Sequence, residues 1–179
     1  MAAARSEFAQ YGLAGARIDR IAKSAAASKE RLYAHFTDKE ALFRSVVATD
    51  MAEFFTAVTL RGDAVPEFVG DIYDLACRRP EHLRMITWAN LEGFALDPPP
   101  VEGGESVALR DIGVIKAAQA AGQVDGAWEP MDLLVLLFGI GLAWAQSPHP
   151  DAFAADPAIV AARRAAAVEA ARRIIAPAT

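Results

Sequence analysis

The sequence predicts an all-α fold of about nine helices, arranged as an N-terminal three-helix domain followed by a larger helical domain. Alanine is abundant and runs of β-branched residues are scarce, a composition that favours helix over strand. Hydrophobic residues make up 54% of the 179-residue chain, enough to bury a sizeable core. Glycine and proline separate the helical segments, and no segment alternates apolar and polar residues long enough to predict a strand.

Four helices are predicted before a break at Arg61–Asp63. Gly12 is a natural C-terminal cap for the first helix, and Ser28 is placed to cap the N-terminus of the third. Thr37 and Glu40 form a capping box at the start of the fourth, because the hydroxyl and the carboxylate can satisfy each other's free backbone N–H groups. The predicted helices are Ala2–Tyr11, Ile18–Ala25, Lys29–His35 and about Lys39–Leu60.

Five helices are predicted after this break. Proline suits the first turn of a helix, and Pro66, Pro80 and Pro157 each stand where a helical pattern begins. A loop is predicted around Asp97–Pro100, where consecutive prolines are followed by a glycine pair. The predicted helices are Pro66–Arg79, Pro80–Phe94, Ser106–Ala121, Met131–Gln146 and Pro157–Ile175.

Charge is unevenly distributed along the chain. Residues 1–47 carry eight Lys or Arg against five Asp or Glu, whereas the remainder is acidic and the net charge is −5. A basic N-terminal segment followed by an acidic remainder is typical of a DNA-binding domain joined to a separate sensing domain. A chance fluctuation over so short a stretch is the alternative explanation.

Three features bear on the compartment. A single cysteine, Cys77, excludes an internal disulfide and fits a reducing cytosol. Met1–Ser6 does not resemble a signal peptide, because no apolar stretch follows Arg5. The most apolar run, Leu133–Ala145, is shorter than the roughly 20 residues a bilayer needs, so it predicts a buried helix. We therefore expect a cytoplasmic protein without a membrane span.

Residues 18–42 carry the clearest functional signal. Two short helices are separated by a tight turn at Ala25–Ala27 and share one apolar face. The opposite face of the second helix is polar, as a helix-turn-helix requires for that helix to enter a DNA major groove about 12 Å wide. The apolar face consists of Ile18, Ile21, Ala22, Leu32 and Phe36, and the outer face of Lys29, Glu30, Ala34 and His35.

Several positions here match a known pattern at fixed spacing. They are Phe8, Tyr11 and Gly12 in the first helix, then Ile21-Ala22, Ser28-Lys29, Leu32-Tyr33, His35-Phe36 and Lys39–Leu42. With these residues the chain resembles the TetR family of transcriptional regulators over residues 5–45. The resemblance implies a DNA-binding domain over residues 1–45 and a helical effector-binding and dimerisation domain over residues 46–179. It also implies a homodimeric repressor that binds double-stranded DNA at a palindromic operator and is released by a small-molecule effector.

The resemblance further implies which residues contact DNA. Tyr33 and Lys39 would contact phosphates, through a donated phenol hydrogen bond and an ammonium near a helix N-terminus. Arg17, at the start of the second helix, is also placed for phosphate. The other implied contacts lie on or beside the recognition helix and are Ser28, Lys29, Glu30, Arg31 and His35.

Three residues depart from the family's usual pattern. Ala26 stands in the turn where the family often has glycine, Ala16 where it often has a capping threonine, and Glu30 where it often has a small residue. An acid at position 30 opposes phosphate but can accept a hydrogen bond from cytosine N4. These departures do not remove the motif, but they motivate one alternative, a helical small-molecule-binding dimer without useful DNA binding.

The run Leu133–Trp144 is apolar on nearly every side, so it predicts a helix that is buried all round. We expect one face of it to meet a second subunit and, with the last helix, to form half of an intersubunit four-helix bundle. Gly139 and Gly141 would allow a close approach between helices. The alternative is the central helix of a monomer.

A small-molecule pocket is predicted from aromatic and apolar residues with a few polar groups, and we expect an apolar or amphipathic effector. Glu92, if buried, would need a cation, supplied by the ligand or by Arg84 or Arg110. The alternative is that these side chains are plain core. The predicted pocket residues are Met85, Trp88, Glu92, Ile115 and Trp144.

No constellation of residues supports catalysis, so we expect no enzyme activity, no cofactor and no metal. His35, His82 and His149 lie in different segments without metal-ligand spacing. Neither a nucleophile elbow nor a glycine-rich phosphate loop occurs. Cys77 stands before two arginines, which would suit a redox sensor, but we favour a packed structural cysteine.

Overall fold

The structure is a computed structural model that describes residues 1–94, 106–148 and 156–177. These residues form nine α-helices and no strand, which confirms the predicted fold class. The helices are α1 (Ala2–Gly15), α2 (Ile18–Ser24), α3 (Lys29–Tyr33), α4 (Lys39–Ala57), α5 (Val65–Arg78), α6 (Pro80–Leu91), α7 (Val107–Ala120), α8 (Pro130–Leu142) and α9 (Pro157–Ile175). A short 3-10 turn, Gly62–Ala64, precedes α5. The predicted loop at Asp97–Pro100 and His149 lie outside the described residues.

Helix α9 has the predicted bounds, whereas α3, α4, α6 and α8 end earlier than predicted. Helix α1 continues past Gly12, the predicted C-terminal cap, to Gly15, and Gly12 is a kink inside it. Helix α4 ends at Ala57, yet Val58 and Leu60 beyond it are buried. These two side chains continue the apolar pattern of the helix on a non-helical backbone, so the pattern overestimated the length of the helix. After Leu142 the chain continues to Gln146 in turns rather than as helix.

Side chains cap the N-termini of α3 and α4. Ser28 accepts a hydrogen bond from the backbone N–H three residues on at 3.2 Å, which confirms its predicted role as the N-cap of α3. The predicted capping box of Thr37 and Glu40 is wrong, because Asp38 accepts from the Ala41 backbone N–H at 2.7 Å instead. A carboxylate is a stronger acceptor than a hydroxyl and interacts favourably with the positive end of the helix dipole.

The chain divides into two compact units. The first contains Met1–Phe54 and Arg79–Pro99, and the second contains Phe55–Arg78 and Pro100–Thr179. Helix α4 therefore begins in the first unit and ends in the second, and α6 follows α5 across the same division. The functional boundary that we place after residue 45 stays a prediction.

In the first unit, α1 packs against α2 and α6 over an aromatic core. The rings of Phe8 and Phe43 are fully buried and meet edge to face, with centroids 5.1 Å apart. Phe43 also contacts Phe94, which follows α6, at 5.3 Å. This core fixes α1, α4 and the end of α6 as the frame that carries α2 and α3.

In the second unit, α5 packs against α8 and α9. Ile72 of α5 and Leu133 and Leu137 of α8 are fully buried. A Cβ on Gly141 would lie 2.6 Å from Ile72 Cγ2, so α8 can approach α5 this closely only with glycine there. The predicted close approach is confirmed at Gly141, whereas Gly139 has open space beside it.

Among the described residues, no helix is both long and apolar enough to cross a membrane. Cys77 is exposed on α5, so the prediction that it is packed is wrong.

Candidate nucleic-acid interface

Helices α2 and α3 form the two helices of a helix-turn-helix. Ile21 and Ala22 are the buried residues of α2 and anchor the motif in the first unit. None of the five described residues of α3 is buried, so their side chains are available to enter a groove. Of the predicted DNA contacts, Lys39 is half-buried and the others are exposed: Arg17, Ser28, Lys29, Glu30, Arg31, Tyr33 and His35.

The turn between α2 and α3 is tight and contains one strained residue. The backbone N–H of Ala27 donates to the Ala22 carbonyl at 2.9 Å and closes the turn. Ala26 has φ of +50°, in the left-handed region that favours glycine. The alanine at this position therefore carries a conformational cost of about 1 kcal/mol.

Glu7 of α1 holds the start of α2. Its Oε1 accepts from the Arg17 backbone N–H at 2.9 Å and from Arg20 Nε at 2.7 Å. Burial alone would raise the pKa of Glu7, but the hydrogen bonds from Arg20 and Arg17 outweigh it and lower the pKa. The Arg20 guanidinium also lies over the Tyr11 ring, 4.2 Å from its centroid. Sequence reasoning missed Arg20, because its partners lie on another helix and leave no local signal.

Lys39 holds the other side of the connection between α1 and α2. Its Nζ donates to the Ala14 carbonyl at 3.2 Å and to the Ala16 carbonyl at 3.1 Å. An ammonium group has three N–H donors, so one remains after these two bonds. The phosphate contact assigned to Lys39 stays a prediction that this geometry allows.

Two charged residues at the start of α3 have partners within the motif. Lys29 forms an ion pair with Asp19 of α2 across the turn. The Glu30 carboxylate accepts from its own backbone N–H and from the Ser28 hydroxyl, and these bonds lower the pKa of Glu30. Glu30 therefore stays ionised at neutral pH and can act only as an acceptor toward DNA.

The predicted pocket residues lie in both units. Met85 is fully buried and Trp88 half-buried in the first unit, where Glu92 is exposed just after α6 and so needs no buried cation. Ile115 is fully buried in the second unit, and Trp144 is half-buried there. The pocket stays a prediction.

Two arginines near these residues have other partners than Glu92. Arg163 places its guanidinium carbon 3.7 Å from the centroid of the Trp144 ring. Arg110, one of the cations suggested for Glu92, donates to its neighbour Asp111 at 2.9 Å. Trp144, one of the predicted pocket side chains of the second unit, is therefore part of a cation–π contact.

A network of five charged or titratable side chains joins α1, α4 and the start of α6. Arg5 Nε donates to Asp50 Oδ1 at 2.5 Å, and Arg5 Nη2 to Glu53 Oε1 at 3.2 Å. Arg79 Nη1 donates to Glu53 Oε2 at 2.9 Å. His82 places Nδ1 3.6 Å from Asp50 Oδ2, and these two buried atoms lack a hydrogen-bond partner among the described residues. We call this set the α1–α4–α6 network.

Asp50, Glu53 and His82 could in principle hold a metal ion, because one ligand atom from each lies within 4.8 Å of the others. The guanidinium groups of Arg5 and Arg79 already occupy both carboxylates, however, and would repel a divalent cation. Burial raises the pKa of Asp50, which His82 and Arg5 oppose, and burial lowers the pKa of His82, which Asp50 opposes. The set is therefore best described as a charge network rather than a metal centre.

Two protein-family models match the chain. The model described as "Bacterial regulatory proteins, tetR family" matches residues 1–46. The model described as "Tetracyclin repressor-like, C-terminal domain" matches residues 64–173. The first covers α1 to α3, and the second reaches from the 3-10 turn before α5 into α9.

The relatives that the chain resembles are also transcriptional regulators. The HTH-type transcriptional repressor SCO4008 of Streptomyces coelicolor is 37% identical over 136 residues, which is 75% of this chain and 70% of the relative. The HTH-type transcriptional regulator RutR of Escherichia coli is 28% identical over 161 residues, 86% of this chain and 73% of the relative. The solved structure of the regulator SCO4942 from Streptomyces coelicolor has a TM-score of 0.85 and 40% identity, and the match covers 97% of this chain and 94% of that chain.

Proposed function

Because this chain belongs to the TetR family of DNA-binding transcriptional regulators, we propose that it is a ligand-released repressor that binds a palindromic operator as a homodimer. The observation that carries the proposal is α3, a helix whose described residues are all accessible and which directly follows the buried anchor on α2. A helix accessible in this way, with several hydrogen-bond donors, is suited to reading a major groove.

In the proposed complex, phosphates hold the motif and α3 reads the bases. Tyr33 donates from its exposed phenol to one phosphate, and Arg17 neutralises another. Lys39 donates its remaining N–H to a third phosphate, from the end of α1 that it also holds. Glu30 accepts from a cytosine N4. The other residues of the reading surface are Ser28, Lys29, Arg31 and His35.

The homodimer is supported by apolar side chains that α8 leaves exposed in the single chain. Val135 and Leu136 have 61% and 40% of their surface exposed, whereas Leu134 and Leu137 on the same helix are buried. Ile159 near the start of α9 is also exposed. Pairing α8 and α9 with their copies about a two-fold axis would cover this apolar surface in a four-helix bundle.

Charged substitutions on this surface test the dimer. Val135→Glu combined with Leu136→Glu would place two charges in the interface, and we expect a monomer of unchanged helix content by sedimentation and circular dichroism. Leu109→Glu, at an exposed leucine of α7, is the matched control and leaves the dimer intact. A double variant that stays dimeric excludes this face as the interface.

Release follows from a population shift between two arrangements of the dimer. The free dimer holds its two copies of α3 at one groove spacing, and the effector favours another spacing by binding that arrangement more tightly. Helix α4 begins in the first unit and ends in the second, so it connects the unit that carries the helix-turn-helix covalently to the unit that carries the proposed dimer surface. The predicted pocket side chains support an apolar or amphipathic effector, and the repressor acts in the cytoplasm, where its DNA lies.

The direct test is binding to the DNA upstream of the protein's own gene, measured at two salt concentrations. We expect tight binding that weakens steeply with salt, because released counterions contribute to affinity. Tyr33→Ala with Lys39→Ala is expected to lose this binding and to flatten its salt dependence. Lys116→Ala, which removes an exposed charge from α7, is expected to bind like the wild type. Binding that the double variant retains would contradict the proposed contacts.

A further inference from the structure

Helix α1 contains a break at Gly12. The backbone of Gly12 has φ of 65° and ψ of −176°, between helical residues on either side. A Cβ at this position would lie 2.7 Å from Cε3 of Trp88, which belongs to α6. Glycine is therefore required here twice, once for its left-handed backbone and once because the indole fills the space of a side chain.

Trp88 also bonds to the helical turn before the break. A break in a helix deprives carbonyl groups of the preceding turn of their regular donors four residues on. The Trp88 indole Nε1–H donates to the carbonyl of Ala9, in the turn before the break, at 3.3 Å. A single side chain from α6 therefore both packs on the break and donates a hydrogen bond to the helical turn before it.

The segment after the break carries the helix-turn-helix. Its carbonyls at Ala14 and Ala16 accept from Lys39, and the Arg17 backbone N–H donates to Glu7. Helix α2 begins at Ile18, directly after this segment. The direction in which α1 bends at Gly12 therefore sets the direction in which α2 leaves.

Helix α6 holds α1 at a second point. Ser6 Oγ donates to Glu81 Oε1 at 3.1 Å, and Arg79 reaches Arg5 through the shared carboxylate of Glu53. Along the chain, α6 follows α5 of the second unit with only Arg79 between them. A displacement of α6 would therefore act on α1 at both its N-terminal part and its break.

We infer that Trp88 is a positioning residue for operator binding: its indole holds the break in α1 at Gly12 and thereby fixes the angle at which α2 and α3 are presented to DNA. The inference rests on the proposed function, and it adds a direct contact from α6 to α1 as the point at which the reading motif is held or released. Without the indole, the motif would sample several angles, and only a fraction of molecules would be competent to bind.

The test compares Trp88→Ala and Trp88→Phe with Leu91→Ala in the full-length dimer. Leu91 lies on the same helix, and both Leu91 and Trp88 line a surface groove beside Ala9 of α1. The side chain of Leu91 is, however, 72% exposed. We expect Trp88→Ala to weaken binding to the upstream DNA about tenfold, because in a smaller fraction of molecules the helix-turn-helix is positioned to bind. The salt dependence should not change, because no phosphate contact is lost. Trp88→Phe keeps a ring over Gly12 and should recover part of the affinity, and Leu91→Ala should bind like the wild type.

Hydrogen exchange without DNA gives a second readout that is independent of the operator. We expect Trp88→Ala to speed exchange in residues 13–24 while α4 stays protected, because the break loosens and the core does not. Equal loss of protection in α1, α4 and α6, unchanged exchange in residues 13–24, or wild-type affinity of Trp88→Ala would each overturn the inference. If the wild type binds no upstream DNA, the proposed operator function fails, and the exchange pattern alone decides the role of Trp88.

A double-mutant cycle tests the contact itself. Gly12→Ala should weaken DNA binding in the wild type, because its Cβ meets the indole and its backbone is strained. In the Trp88→Ala background the steric part disappears, so the further loss should be smaller than in the wild type. Additive losses would contradict a direct Gly12–Trp88 interaction.

Discussion

The interactions between helices inside the first unit differ from those inside the second unit. In the first, polar side chains around the buried Asp50 and His82 join different helices: Arg5 of α1, Asp50 of α4 and His82 of α6 meet in one network. In the second, Asp111 is the buried charged residue among those described, and it bonds to Arg110, its neighbour on the same helix. Helices α5 and α9 there are also joined by the half-exposed ion pair of Arg164 with Asp74, but the fully buried contacts between helices are apolar, as between Ile72 and Gly141.

This difference bears on function. A charge network depends steeply on distance and protonation, so small displacements change its energy. An apolar core responds to changes in volume and stays packed when charges nearby change. The unit that carries the helix-turn-helix therefore has buried helix contacts that are sensitive to small shifts, beside its aromatic core, whereas the buried helix contacts of the other unit are apolar.

The apolar core of the second unit should respond most strongly to lost volume. Leu137→Ala removes a fully buried side chain of α8, and we expect the free energy of unfolding to fall by about 3 to 4 kcal/mol. Leu109→Ala, at the exposed leucine of α7, should change it by less than about 0.5 kcal/mol. Urea denaturation measures both, and similar losses in the two variants would mean that α8 does not carry the core.

The charge network of the first unit should respond to the loss of one partner. Asp50→Ala leaves Arg5 with only the half-exposed Glu53, and we expect a loss of about 3 kcal/mol of unfolding free energy. Glu40→Ala breaks the exposed pair with Arg44 on the same helix and should cost less than about 0.5 kcal/mol. If the two variants lost equal stability, burial would not matter to these ion pairs.

Acid should weaken the first unit through His82. The groups that face it are Asp50 and Glu53 from α4, Arg5 from α1 and Arg79 from its own segment. Burial lowers the pKa of His82 below its ordinary 6.5, so below that pH the unfolded chain takes up a proton that the folded chain resists. The unfolding free energy therefore falls as the pH drops below 6.5, and above it His82 contributes no pH dependence.

The variant His82→Asn isolates this effect, because it keeps a polar side chain without a titration near neutral pH. The raised pKa of Asp50 gives the opposite slope in the window above 3.8, where the folded carboxyl keeps a proton that the unfolded one has lost. Urea denaturation at a series of pH values between 7 and 5 gives the unfolding free energy of both proteins. The wild-type value minus the variant value should decrease as the pH falls. A flat difference would show that His82 is not held neutral by burial.

Sequence reasoning succeeded where the interactions are local. The all-α class, the bounds of α9 and the Ser28 cap follow from propensity and spacing within a few residues. It failed at Thr37, where two neighbouring residues could both cap a helix and the carboxylate of Asp38 is the one that does.

The candidate site divides in the same way. The helix-turn-helix is a local pattern, so its exposed reading helix could be predicted. The interactions that hold it are not local: Arg5 and Asp50 are 45 residues apart in the chain, and Trp88 and Ala9 are 79 apart. Such pairs depend on how helices pack, and neither amphipathic spacing nor charge patterning in one sequence specifies them.

The smallest expected effect concerns the turn of the helix-turn-helix, where the backbone of Ala26 is strained. Ala26→Gly removes the left-handed strain of about 1 kcal/mol but adds unfolded-chain entropy, so the net gain should be about 0.5 kcal/mol of unfolding free energy. Gly113 on α7 has open space around it, and Gly113→Ala is the reciprocal control, which should stabilise its helix. Because Ala26 is not one of the predicted DNA contacts, operator affinity should stay the same or rise slightly. A loss of affinity would mean that the strained turn itself sets the position of α3, and that the cost of Ala26 is part of how this protein reads DNA.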